Sequence, residues 1–131
     1  MERDIILTVF ATSSQAPSGQ WAKEFFKDEP IVLNVPGGGG PEFRAKAIAW
    51  AKTGDLFKAA LKELKPELKD VTIRRRGLVT FSVGWSFGDE LLKIEVERNR
   101  LDAYILLDGC HNNILGHWIQ FATRAANLEA F

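Results

Sequence analysis

Four strand-length apolar runs, separated by stretches of helical periodicity, constrain this chain more than any other feature. They are Ile5–Phe10, Ile31–Val35, Leu78–Val83 and Ala103–Leu107. None alternates one wet face with one dry face, so each reads as a strand covered on both sides. Between the first two, Ser18 is placed to cap a short helix reaching about Lys27, with Trp21 and Phe25 at i, i+4. Pro36 and the run Gly37–Gly40 stop the second strand. From Pro41 the apolar residues recur at helical spacing, with a break at Gly54 and an end at Pro66. A helix over about Phe87–Asn99 follows the third strand, and one over about Leu115–Leu128 follows the fourth. The order β-α-β-α-β-α-β-α predicts an α/β fold: a three-layer αβα sandwich around a small, mostly parallel sheet. Right-handed crossovers then bring every strand's C-terminal end to one edge, where such sheets place their sites.

With 131 residues the chain is read as a single domain, 1–131, able to bury a core without staples. Seventeen basic residues balance seventeen acidic ones, so no net field draws in nucleic acid or an anionic membrane. The one basic cluster, Arg74-Arg75-Arg76, is expected to be a solvated turn ahead of the third strand. Cys110 is the only cysteine, which excludes an internal disulfide and thiolate zinc sites. Asp108, His111 and His117 match no standard metal-ligand spacing, and the glycine run is neither a Walker A loop nor G-x-G-x-x-G. No cofactor is expected. The apolar start, Ile5–Ala11, is too short for a membrane span or a signal peptide. A cytoplasmic location is therefore expected, or packaging inside a virus particle.

Gly84-Trp85-Ser86-Phe87-Gly88 fits G-x-S-x-G, with an apolar run directly before it and an amphipathic helix directly after. In that context the pattern describes a tight strand-to-helix turn. Small residues at the flanks let neighbouring elements approach, and the serine hydroxyl stands at a helix N-terminus, where N–H groups stabilise a developing oxyanion.

On these residues the chain resembles the α/β-hydrolase superfamily, in an apparently short form. Leu78–Val83, Ser86, the following helix and Ala103–Leu107 look like the nucleophile strand, nucleophile, helix and next strand. Ile5–Phe10 with Ala11-Thr12-Ser13 resembles the strand and loop that give a second oxyanion N–H. Pro36–Gly40 resembles the glycine-rich turn after the strand that follows. The resemblance implies a serine hydrolase cleaving an ester, thioester or amide through a Ser–acid–His triad met in that order. Ser86 would attack, His111 would take its proton, and Asp108 would orient the histidine. The N–H groups of Phe87 and of the Ala11–Thr12 turn would hold the oxyanion.

Two questions stay open at this point. Asp108-Gly109 also reads as a turn-forming pair, and superfamily members place their histidine after further strand–helix units. Either His111 folds back to Ser86, or no base lies within reach; the closeness of Asp108 and His111 favours the second. The alternative function is a non-catalytic hydrolase-like module retained for assembly or partner binding. Phe26, Trp50, Trp118 and Phe131 would then supply an apolar contact surface. The expected partners are a small acyl substrate and, because a four-stranded sheet has edges to cover, a second copy or a larger complex.

Overall fold

A computed structural model describes residues 1–10, 29–107, 116–119 and 121–122. Four strands, β1 (Glu2–Val9), β2 (Ile31–Asn34), β3 (Thr72–Phe81) and β4 (Ala103–Leu107), form one sheet in the order β2-β1-β3-β4. All three pairings are parallel, with Leu7 opposite Leu33 and Leu78, and Leu78 opposite Tyr104. The chain is thus of the α/β class expected from its alternating apolar runs.

The helices are α1 (Gly40–Ala51), α2 (Leu56–Leu64), α3 (Trp85–Lys93) and α4 (Glu95–Arg100). Residues 116–119 and 121–122 are also helical. Gly54, at φ 101°, separates α1 from α2 in a left-handed turn that a side chain would oppose. Asp55 then caps α2 by accepting from the Lys58 N–H at 3.3 Å. The single helix expected over Phe87–Asn99 is two helices, because Ile94 adopts extended backbone between them.

Period-two alternation along the strands divides the core. Ile5, Leu7, Val9, Leu33, Leu78 and Tyr104 share one cluster with Phe43, Phe57, Phe87, Leu91 and Leu92 from the helices. Ile6 and Val79 form a smaller cluster on the opposite face, with Phe10 and Val32 against it. The layer expected there from the helix near Ser18–Lys27 lies outside the described residues.

Two boundaries differ from expectation in ways that matter for the site. The arginine cluster is part of β3 rather than a turn, with Arg74 and Arg75 exposed as expected. Arg74 and Arg75 both donate to the buried Asp4 carboxylate, at 2.9 and 2.7 Å, and Arg76 reaches Asp55 at 2.8 Å. Charge pairing across neighbouring parallel strands thus extends β1 and β3 into sequence too polar to look like strand. At its other end β3 stops at Phe81, two residues before the expected Val83. Trp50, considered above as part of a contact surface, is buried in the core, and Trp118 packs against the same cluster. Phe26 and Phe131 lie outside the described residues.

Candidate functional site

The connection from β1 leads to β2 on one side of the sheet, and the connection from β3 leads to β4 on the other. The C-terminal ends of β1 and β3 therefore flank the point where the winding reverses, the crevice in which open parallel sheets bind ligands. The chain leaving β3 crosses this crevice in very few residues. Phe81 is still extended, at φ −130° and ψ 132°, while Gly84 and Trp85 already have helical dihedrals. Ser82–Gly84 is a single 3-10 turn, and the N–H of Trp85 donates to the carbonyls of Ser82 and Val83 as α3 begins.

The change of direction falls on Ser82. At φ 52° it is the one non-glycine residue in the left-handed region among those described. It is half-buried, and Val83 beside it is exposed. Two residues on, Gly84 is buried against the end of β1: a Cβ there would lie 2.9 Å from the Val9 carbonyl carbon and overlap its oxygen. The turn is pressed onto the neighbouring strand so closely that only glycine fits.

Ser86 was expected at the tight strand-to-helix turn itself, and its placement differs. It is the second residue of α3, only 3% exposed, with its Oγ against the first residue of α1: a Cβ on Gly40 would come within 3.0 Å of it. Because β3 ends earlier than its apolar run suggests, Ser86 falls beyond the bend rather than on it. Phe87, expected to give an oxyanion N–H, is the third residue of α3, and its ring is fully buried edge-on to Trp50 at 6.0 Å between centroids. Gly88 faces β4, where a Cβ would overlap the Tyr104 hydroxyl. That hydroxyl shares a 2.8 Å hydrogen bond with the buried Thr80 side chain. Gly84 and Gly88 are thus both packing glycines, one against β1 and one against β4. Asp108, His111, Ala11 and Thr12 lie outside the described residues.

A second polar cluster, not anticipated from the sequence, lies further along α3. Asp89, 2% exposed, accepts from Arg44 of α1 at 2.9 Å, pairs with Lys93 at 3.1 Å and contacts Nδ1 of His117 at 2.8 Å. Arg44 also donates to Glu90 at 2.7 Å and stacks over Trp85. Burial pushes the Asp89 carboxyl up, but hydrogen bonds from Arg44, His117 and Lys93 outweigh it and hold the group below the ordinary carboxylate range. The signal in the sequence was slight: Asp89 stands three residues after Ser86, within the segment read as an amphipathic helix. Asp89 is the fifth residue of α3, so its contact ties His117 to that helix.

No family model matches the chain, and no curated protein or solved structure matches it either.

Proposed function

We propose that the chain is a hydrolase-like domain that cleaves an ester, thioester or amide by covalent attack of a serine at the C-terminal edge of its sheet. One observation carries the reading: a strand–turn–helix segment bearing serines crosses the crevice between β1 and β3, where the winding reverses. Acyl transfer needs a nucleophile held at such an edge and N–H groups aimed at the oxygen that becomes charged. The first N–H groups of a helix have no partners within it and sit at the positive end of its dipole. What supports the reading is that serines and the start of a helix meet at the turn into α3. The fold that suits this chemistry is the α/β-hydrolase type. Asp108 and His111 are the acid and base this reading takes from the sequence.

The test is labelling of the folded chain with a fluorophosphonate, alongside hydrolysis of p-nitrophenyl acetate and butyrate. A stoichiometric adduct on a serine of residues 82–86, with turnover above the buffer rate, is the expected result. Absence of both would remove the hydrolase reading and leave a binding or assembly module. Among the described residues no helix is long and apolar enough to cross a membrane.

A further inference from the structure

We infer that Ser82, rather than Ser86, is the nucleophile of this site; the inference rests on the hydrolase reading just given and assigns its attacking residue. Three independent features agree on Ser82. The first is the backbone. A non-glycine residue in the left-handed region carries strain, and such strain concentrates where a side chain must be presented at a bend. Ser82 is the one described non-glycine residue in that state, and it stands at the strand-to-helix junction.

The second is the position of small residues. A nucleophile at a tight strand–helix bend needs them two places before and two places after. Counted from Ser82, in Thr80-Phe81-Ser82-Val83-Gly84, the place after is glycine, while the place before is held by the larger Thr80. Gly84 is pressed against the Val9 carbonyl, which is the contact that forbids a side chain at the second place after the nucleophile. Counted from Ser86 the same glycine would be the second place before, yet its neighbour is the end of β1 and the bend has already been made. Gly88 lies a turn further on and packs the helix onto Tyr104. The pattern G-x-S-x-G is present, but the frame that the fold uses begins four residues earlier.

The third is access and charge stabilisation. Ser82 is half-buried at the edge, whereas Ser86 is 3% exposed and enclosed between α3 and the start of α1. The N–H after Ser82 belongs to Val83, the second residue of the 3-10 turn, where the helical segment leaves its leading donors without internal partners. In the reaction the Ser82 oxygen bonds to the acyl carbon while its proton passes to a general base. The base returns that proton to the departing oxygen, sulfur or nitrogen as the bond to it breaks. Water then cleaves the acyl-serine, releasing the acid and restoring the hydroxyl.

Localising a fluorophosphonate adduct on the wild-type full chain tests this directly. The Ser82 oxygen–phosphorus bond forms as fluoride leaves and the hydroxyl proton is lost. Both serines fall in one tryptic peptide, Gly77–Lys93, and fragment ions between Val83 and Trp85 separate them. An adduct on Ser82 is expected, with the labelling rate falling about a hundredfold or more in Ser82→Ala. An adduct on Ser86 would overturn the inference and keep the hydrolase reading. No adduct on either serine would overturn both. The wild-type measurement does not depend on any variant folding.

Discussion

Gly84 lies directly beneath the Val9 carbonyl, so the turn that leaves β3 is packed against the end of β1 with no room for a Cβ. The obstacle is backbone on a central strand, which cannot swing aside as a flexible side chain can. Gly84→Ala is therefore expected to destabilise the fold by about 3 kcal/mol, at the upper end of overpacking costs. Urea denaturation would measure it. A loss below about 0.5 kcal/mol would mean that the bend and β1 are not in contact.

Gly88 makes the equivalent contact with β4, but its obstacle is a side chain. A Cβ there would lie 2.6 Å from the Tyr104 ring carbon that carries the hydroxyl, and would force the ring away from its bond to Thr80. Gly88→Ala should cost about 2 kcal/mol and Tyr104→Phe about 1 kcal/mol. Because both changes disturb one contact, the double variant should lose less than the two separate losses together. Strict additivity in a double-mutant cycle would show the two residues to be independent.

The sheet was readable from the sequence because burial on both faces leaves a continuous apolar signature; β4 has the boundaries expected, Ala103–Leu107. Charge pairing leaves no such signature. The first residues of β1 and β3 are mostly polar, and in the fold Asp4 joins them by pairing with Arg74 and Arg75. The same limit hid the bend. Ser82 and Val83 continue an apolar run, so pattern alone extends the strand through them and moves the turn onto the conspicuous glycines. Which glycine answers to which neighbour is a tertiary fact. The Asp89–His117 contact spans 28 residues and has no local correlate.

Asp89 gives the fold a dependence on acid. Its folded value is lowered, so its stabilisation is fully present above the unfolded value of about 3.9 and is lost as pH falls through the folded value. Asp89→Asn should cost about 2 kcal/mol near neutrality, less than for a fully buried pair because Arg44, Lys93 and His117 reach solvent. The cost should shrink below pH 4. Urea midpoints from pH 3 to 7 check this, and a cost that does not change with pH would exclude Asp89 as the titrating group.

Glu97 has the opposite sign. It is 2% exposed and accepts from the Leu56 N–H at 3.0 Å, and burial raises its carboxyl above the ordinary range despite that bond. Its favourable contribution is present below the unfolded value of about 4.3 and is lost as pH rises through the folded value. Glu97→Gln keeps an acceptor for Leu56 and removes the charge. The variant should match wild type near pH 4 and be the more stable of the two at pH 8. A variant weaker than wild type at pH 8 would show that Arg100 and Arg76 fully compensate the buried carboxylate.

As the proposed nucleophile, Ser82 would join stability to function. Its φ of 52° suits glycine, which adopts left-handed backbone at no steric cost, whereas a serine there is strained. Ser82→Gly should therefore stabilise the fold by about 1 kcal/mol, partly offset by the greater freedom of glycine in the unfolded chain. For a domain of this size that raises the melting temperature by roughly 3 °C. The same substitution removes the hydroxyl, so fluorophosphonate labelling and ester turnover should disappear together. A gain in stability with loss of labelling is the result expected where a strained residue is kept for its chemistry. Ser86→Gly serves as the contrast. Ser86 sits inside α3 with helical neighbours, so glycine there should cost about 0.5 kcal/mol through helix propensity alone. Thermal melts of both variants against wild type give the comparison, and a Ser82→Gly chain that melts lower than wild type would mean the bend carries no strain to release.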